Sequence, residues 1–229
     1  MKLGIMQPYF MPYIGYWQLM AAVDTYVVYD DVNYIKGGWV SRNNILLNGQ
    51  KHMFTITLNG ASPNKLFNEI TIKDDFKKFS RLIESAYCKA PYYVEMKALL
   101  EKIYGYEDKS LGVFMMHNFQ VVLDYLEIDT KLILSSTIAK DNSQRGKDKV
   151  KHICHLLGAD TYYNAIGGQE LYDKDDFKAD GIDLKFVRTN LVPYAQLGDE
   201  FVPGLSIIDV LMNQGKGGTK KLLNEYTLI

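Results

Sequence analysis

Two neighbouring carboxylates, Asp30 and Asp31, are the best candidates in this chain for acid–base chemistry. They follow Thr25–Tyr29, a run of β-branched and aromatic residues that is typical of a central strand. A carboxylate that is buried beside a second one can have a raised pKa, and either residue could then act as a general base. The same pair also suits a turn or a helix cap, so a structural role stays open.

Polar and aromatic side chains are dense on both sides of this pair, and they predict a small-molecule site. Lys36 and Arg42 could hold a phosphate or carboxylate, whereas Gln7, Tyr9 and Asn43 could orient a substrate. The predicted substrate-binding residues of this region are Gln7, Tyr9, Tyr16, Asn33, Tyr34, Lys36, Trp39, Arg42 and Asn43.

Two later segments add candidates to the same binding role. Lys89 lies among tyrosines in the stretch YCKAPYY, where it could bind an anion, although a proline there also suits a turn between helices. Tyr163 lies in an apolar run that ends near Gly167 and Gly168. Two adjacent glycines allow a close backbone approach to a ligand or a positive φ, so all three residues are predicted to contact substrate.

Other clusters have weaker patterns. The hydroxyls of Ser135–Thr137 could cap a helix or bind an anion, and the basic run from Arg145 to Lys151 could meet a phosphate or form a solvated helix start. His152 and His155 have helical spacing for a metal, but a site needs three or four ligands, so no metal is predicted. No Ser-His-Asp or Cys-His pattern indicates a covalent intermediate.

The elements that must position these residues begin with a β-loop-α-β unit. Leu3–Met6 is a short apolar run that ends at Gln7-Pro8, and Pro12 is placed to open a helix as its first residue. Thr25–Tyr29 is the next strand. Because a right-handed crossover makes such strands parallel, their carboxyl ends share one edge, where α/β proteins bind ligands. Gln7, Tyr9, Asp30 and Asp31 should therefore lie close together.

The remaining pattern predicts an α/β fold with a parallel-centred, Rossmann-like sheet. Residues 44–58 read as a β-hairpin around Asn48-Gly49, and residues 74–127 read as a helical subdomain inserted into a single domain of residues 1–229. Ser206 should cap a last helix. That helix carries Asp209 among apolar residues, and Arg42 is one candidate partner for it.

Bulk composition narrows the possible functions. A net charge of −1 gives no general attraction to nucleic acid or anionic membrane. The N-terminus has no apolar signal region, and no stretch approaches the roughly 20 apolar residues of a membrane span. The two cysteines, Cys88 and Cys154, are far apart and suggest no disulfide framework. We therefore expect a cytoplasmic protein with no nucleic-acid or membrane partner; the sequence indicates no particular cofactor or oligomeric state.

The chain resembles the WbqC-like protein family over nearly its whole length, most strongly at both ends. The matching positions are Gln7-Pro8, Pro12, Gly15-Tyr16, Asp30-Asp31, Arg42-Asn43, the YxKAPYY segment, Tyr194, Gln196, Leu205–Asp209, Asn213 and Gly215. Asn33 and Ser41 replace residues that are commonly Gln and Asn in the family, and both replacements keep a side chain that can form hydrogen bonds. The resemblance implies a role in bacterial O-antigen or other surface-polysaccharide biosynthesis.

A more distant likeness is to nucleotidylyltransferases of the HIGH type, which place histidines in the loop after the first strand. This chain has Tyr13 and Tyr16 in that region and no histidine before His52. A neutral tyrosine donates a hydrogen bond but has no positive charge, so the usual nucleotidyl-transfer machinery is not shared.

Two functions follow as hypotheses. The first is a transferase that moves an acyl, aminoacyl or related group onto a nucleotide-activated amino sugar. The second is a non-catalytic nucleotide-sugar-binding or scaffold protein derived from a nucleotidylyltransferase-like fold. In both, the partner is a small molecule, most simply a nucleotide-linked sugar.

Overall fold

The computed structural model describes residues 1–229. Its strands are β1 (Lys2–Met6), β2 (Thr25–Val28), β3 (Arg42–Leu47), β4 (Gln50–Thr55), β5 (Leu58–Asn59), β6 (Thr71–Ile72), β7 (Lys131–Leu134), β8 (Thr161–Ala165), β9 (Asp183–Thr189) and β10 (Tyr226–Leu228). Its α-helices are α1 (Ile14–Ala21), α2 (Lys77–Tyr87), α3 (Tyr93–Tyr104), α4 (Leu111–Leu126), α5 (Gly146–Leu156), α6 (Lys174–Ala179) and α7 (Ile207–Leu222).

Six strands form the central sheet in the order β10-β9-β8-β1-β2-β7. Five of them are parallel, and β10 is antiparallel to β9. In chain order this is the 3-2-1-4-5-6 arrangement of Rossmann folds, apart from the reversed last strand. The predicted α/β class with a parallel-centred sheet is thus confirmed. The edge strand β10 and the short helix α6 were not predicted.

Alternate residues of the central strands point to opposite faces of the sheet, and each face has its own core. Gly4, Tyr26 and Val28 face the side covered by α1, the helices α2 to α4 and α7, where 41 buried residues form one cluster. Leu3, Ile5 and Val27 face the other side, where α5 and α6 enclose a cluster of 12 buried residues. Helices on both faces leave the ends of the strands as the open part of the sheet.

The predicted hairpin is present as β3 and β4, joined by Asn48 and Gly49. Both residues have positive φ, 51° and 74°, as a type I′ turn requires. The hairpin lies outside the central sheet, and it carries Arg42 and Asn43 on its first strand.

The segment 74–127 contains three helices, as the apolar periodicity predicts. Their buried residues belong to the same cluster as those of α1 and α7, so α2, α3 and α4 share the main core of the chain. Whether residues 74–127 behave as a separate subdomain stays a prediction.

Two local expectations need correction. Pro12 is not the first residue of α1; it lies outside the helix, where its carbonyl accepts hydrogen bonds from Trp17 Nε1 at 3.1 Å and the Ile207 N–H at 2.8 Å. Asp209 does not pair with Arg42. Its carboxylate accepts hydrogen bonds from Tyr87, Tyr194 and Gln196. Ser206 does cap α7, since its Oγ accepts the Ile208 N–H at 3.3 Å.

Measured for length and hydropathy, none of the helices qualifies as a membrane span.

Candidate functional site

Two cavities lie side by side where the parallel strands end. The first, which we call the polar cleft, is about 430 Å³ and lies beyond β2 and β7; its walls include Asp31, Asn33, Ser136, Asn142, Arg145 and Lys149. The second, the aromatic pocket, is about 330 Å³ and lies beyond β1 and β8; it is lined by Met6, Tyr9, Tyr13, Tyr16, Trp39, Asn43, Ala165 and Gly204. Both volumes are in the range of small-molecule sites.

Asp31 is the centre of an ion cluster in the wall of the polar cleft. Its Oδ2 lies 2.7 Å from Lys140 Nζ and 3.1 Å from Lys149 Nζ, and all three side chains are at least nine-tenths buried. Burial opposes ionisation of Asp31, but the two ammonium groups outweigh it and hold the pKa of the carboxyl below its ordinary value. Asp31 is therefore ionised at neutral pH.

Positive charge exceeds negative charge around the cleft. Lys140, Lys149 and Arg145 lie there with two carboxylates, those of Asp30 and Asp31. Lys149 also donates to the Asp31 carbonyl at 3.1 Å and lies 5.2 Å from the centre of the Tyr29 ring. The two buried lysines are balanced by the two carboxylates, so the surplus charge is that of Arg145, which is exposed in the cleft wall and can pair with an anion there.

The N-terminus of α5 adds to the preference of the cleft for an anion. The helix begins at Gly146, which lines the cleft, and no side chain caps it. The N–H groups of Gly146, Lys147 and Asp148 donate no hydrogen bond within the protein. Free amides and the helix dipole at such an end favour a negatively charged group.

Asp30 lies next to the cleft but does not open into it. Its side chain is buried, and it accepts hydrogen bonds from the Ser136 N–H at 2.8 Å and from Ser136 Oγ at 2.7 Å. Burial raises its pKa, and the two hydrogen bonds oppose that rise. Asp30 therefore positions the loop after β7, which contributes Ser136 to the cleft.

Close packing against α4 fixes the Asp30 side chain, and this leads to a prediction. A Cβ added at Gly112 would lie 2.9 Å from both Asp30 Cβ and Asp30 Oδ2. We expect Gly112→Ala to lower the free energy of unfolding by about 1–3 kcal/mol, as overpacking of a tight contact does. Urea denaturation followed by circular dichroism would measure the change.

Gly217→Ala is the matched control, because a Cβ on this glycine of α7 would have no neighbour within 4 Å. It should leave stability unchanged or raise it slightly, since alanine is the better helix former. Equal midpoints for the two variants would contradict the close packing of Asp30.

Hydrogen bonds fix most of the polar groups of the aromatic pocket. The Tyr9 hydroxyl accepts the Tyr13 N–H, and the Tyr16 hydroxyl donates to the Gln7 carbonyl, both at 3.1 Å. The amide of Asn43 is engaged at both ends: its Nδ2 donates to the Met11 carbonyl at 2.7 Å, and its Oδ1 accepts the Asn44 N–H at 2.8 Å. The pocket thus presents mainly ring faces and edges.

Trp39 is the exception to this fixed wall, because half of its surface is exposed. The guanidinium carbon of Arg42 lies 5.6 Å from the centre of the Trp39 ring, within cation–π distance. Arg42 also donates to the Gly37 carbonyl, which connects it to the loop that carries Trp39.

Gln7 and Asn33 lie between the two cavities. Gln7 follows Met6 of the aromatic pocket and donates its side-chain amide to the carbonyl of Asn33, at 3.2 Å. Asn33 in turn lines the polar cleft and donates to the Pro63 carbonyl at 3.0 Å. The two cavities therefore share one hydrogen-bonded wall.

The other predicted site residues lie away from these walls. Tyr34 and Tyr163 are buried, Lys36 is exposed in the loop before Trp39, and Lys89 is exposed in the turn between α2 and α3. Gly167 and Gly168 are in the 3₁₀ turn after β8, and neither has a positive φ. A Cβ at Gly168 would approach Asn164 Nδ2 to 2.7 Å, so this glycine serves packing within the chain.

The predicted set of substrate-binding residues does not contain the main cations of the cleft. These cations are Lys140, Arg145 and Lys149. The predicted set also lacks three neutral polar residues that line the cleft, Ser136, Asn68 and Asn142. Two sequence signals did indicate part of this group: the hydroxyl cluster after β7 and the basic start of α5. Each also had a structural explanation, which for the basic run was the favoured one, and only the position of β7 beside β2 brings them to Asp31.

Comparisons with known proteins agree with the resemblance seen in the sequence. The sequence model of the WbqC-like protein family matches residues 7–221. An uncharacterized protein of Mycobacterium tuberculosis, Rv1507c, is 26% identical over 219 residues, which cover 93% of this chain and 94% of that protein. No solved structure matches the chain.

Proposed function

This chain belongs to the WbqC-like protein family, and we propose that it is a group-transfer enzyme acting on a nucleotide-activated amino sugar. The transferred group is acyl, aminoacyl or related, and the pathway is the biosynthesis of O-antigen or another surface polysaccharide. A cytoplasmic location belongs to the same proposal. The single observation that carries it is the polar cleft at the carboxyl ends of β2 and β7.

The cleft has the chemistry of a phosphate site. A diphosphate needs cations and N–H donors around it, which Lys149, Arg145 and the first amides of α5 supply. The hydroxyl and amide side chains of Ser136, Asn33 and Asn142 in the same walls suit the hydroxyls of a sugar.

Asp31 is the proposed proton acceptor, because it lines the cleft and is ionised, whereas Asp30 is turned to Ser136. In the proposed step the amino nitrogen of the sugar forms a bond with the acyl carbon. The bond from that carbon to its carrier breaks, the carrier leaves with the electron pair, and Asp31 accepts the proton that the amine loses.

A binding protein without catalysis is the second candidate, and the ion cluster is the observation that favours it. Asp31 already holds two ammonium groups, and their pull on its pKa makes the carboxylate a weak base. In a binding protein, the role of this carboxylate would be to hold the two lysines in place.

One experiment tests the proposal and separates the candidates. Purified protein is incubated with UDP- and dTDP-linked amino sugars, each with acetyl-CoA or an aminoacyl donor, and mass spectrometry follows the sugar nucleotide. Binding by thermal shift together with a mass increase equal to the acyl group supports the enzyme. Binding without product for every donor supports the binding protein, and absence of binding by every nucleotide sugar contradicts both.

Arg145 gives a more specific prediction about this cleft. We expect Arg145→Ala to weaken the affinity for a nucleotide sugar about tenfold, since a charge-assisted hydrogen bond contributes about 1.5 kcal/mol or more. Isothermal titration calorimetry at two salt concentrations would measure the loss, and the salt dependence of the affinity should decrease in the variant.

Lys147→Ala is the matched control for Arg145→Ala. Lys147 is two residues further along, in the first turn of α5, but it pairs with Asp176 at 2.9 Å and does not line the cleft. If both variants bind the nucleotide sugar equally well, the anion does not lie at the start of α5.

A further inference from the structure

We infer that the aromatic pocket binds the nucleobase of the nucleotide-linked ligand, with the Trp39 ring stacked on the base. The inference rests on the proposed function, because it assigns the second half of the same ligand. The pocket lies beyond the ends of β1 and β8, the two strands between which the chain reverses its direction across the sheet. In open α/β sheets this switch point is where ligands enter.

The hydrogen-bonding inventory of the pocket favours a base over a sugar. A sugar ring has a hydroxyl on most of its carbons, and each needs a partner when it leaves water. The hydroxyls of Tyr9 and Tyr16 and the amide of Asn43 already bond to the backbone. A flat base needs a ring face and few polar partners, which this wall provides.

Trp39 supplies the exposed ring. It is half exposed although it borders a cavity, whereas the tyrosines that line the same cavity are half-buried or buried. Arg42, the first residue of β3, lies against the Trp39 ring, so the indole is supported by another part of the protein. An indole that is supported and partly open to a cavity is suited to stacking on a base.

The separation of the two cavities fits a single ligand. The aromatic pocket is centred between β1 and β8, and the polar cleft between β2 and β7, so two strand spacings, about 10 Å, separate them. The hydrogen bond from Gln7 to the Asn33 carbonyl is in the wall between them. A nucleotide can therefore place its base in one cavity and its phosphates in the other.

Tryptophan fluorescence provides a direct test, because the chain has two tryptophans in different surroundings. Trp17 is fully buried, with its Nε1 bonded to the Pro12 carbonyl, and only Trp39 is accessible. The probes are UDP, dTDP, GDP, ADP and CMP, with pyrophosphate and ribose 5-phosphate as probes that lack a base. At least one nucleotide should quench the emission of the wild type, and neither base-free probe should.

Two variants complete the test. In Trp39→Phe the quenching should disappear while the thermal shift by the same nucleotide persists, since phenylalanine still stacks. In Trp39→Ala the affinity for that nucleotide should fall about 5- to 150-fold, the range of base–aromatic stacking, with pyrophosphate affinity unchanged.

The outcomes separate this inference from the proposed function. Equal binding of pyrophosphate and of every nucleotide, with no quenching, would overturn the nucleobase pocket and leave the phosphate cleft standing. Loss of binding of ribose 5-phosphate in Trp39→Ala, with nucleotide binding intact, would also overturn it, because the pocket would then hold a sugar. Failure of all phosphate compounds to bind would overturn both.

Discussion

Replacing Asp31 with alanine is expected to lower the free energy of unfolding by about 3–5 kcal/mol, the range for breaking a buried ion pair from one side. The variant leaves the ammonium groups of Lys140 and Lys149 buried without their counter-ion. The side chains of these two lysines are only 1% and 6% exposed, so little water can replace the carboxylate beside them. Urea denaturation at pH 7 would measure the loss.

An exposed ion pair serves as the control for Asp31. Asp183 pairs with Lys185 at 3.1 Å, but these side chains are 62% and 38% exposed, so Asp183→Ala should change the unfolding midpoint little. A loss in Asp31→Ala no larger than that in Asp183→Ala would show that the cluster contributes nothing particular to stability.

The pH dependence of the same cluster follows from the lowered pKa of Asp31. A carboxyl whose pKa is lower in the folded state stabilises the protein above its ordinary value, 3.8, and loses that contribution as the pH falls further. The stability difference between the wild type and Asp31→Asn should therefore be constant from about pH 5 to 8, which is above the ordinary pKa of a carboxyl group. It should shrink below about pH 4. A difference that already shrinks between pH 7 and 5 would contradict a lowered pKa.

Local sequence signals were sufficient for most of the fold. The β-loop-α-β opening could be predicted because Pro8, the apolar spacing of α1 and the β-branched run of β2 act over a few residues. The hairpin followed from Asn48-Gly49, whose positive φ values few other residue pairs adopt. The edge strand β10 has no such signal, since its three residues become a strand only by pairing with β9.

The composition of the site depended on long-range contacts that a sequence does not display. Lys149 and Asp31 are 118 residues apart, and they meet because β7 pairs with β2 and α5 follows β7. Conversely, Asp30 has the same residue type and nearly the same position as Asp31, yet Ser136 engages it. Residue type and spacing thus located the edge of the sheet, while packing decided which of two adjacent carboxylates lines the cleft.

Asp209→Ala is the other substitution with a large expected effect, about 3–5 kcal/mol of unfolding free energy. Asp209 is fully buried at the start of α7 and accepts hydrogen bonds from Tyr87 at 2.9 Å, Tyr194 at 2.8 Å and Gln196 at 2.7 Å. Alanine would leave the hydroxyls of Tyr87 and Tyr194 without their acceptor, whereas Gln196 Nε2 keeps its bond to the Val202 carbonyl. Each buried donor left without a partner costs about 1–3 kcal/mol, and the removed carboxylate bonds add to that loss. Thermal and urea denaturation would measure the loss.

Asp209→Asn separates the role of the charge from that of the acceptor. Asparagine keeps the shape and one acceptor oxygen but turns an N–H₂ toward a donor. The stability of the Asp209→Asn variant at neutral pH should therefore lie between those of the wild type and Asp209→Ala.

Burial raises the pKa of Asp209, and the three hydrogen bonds oppose the rise. Because a raised pKa means that the folded state binds protons more tightly, the wild type should gain stability relative to Asp209→Asn as the pH falls from 7 toward 4. A wild type that instead loses stability relative to this variant over that range would show that the hydrogen bonds outweigh burial, and that the network holds a carboxylate with a lowered pKa.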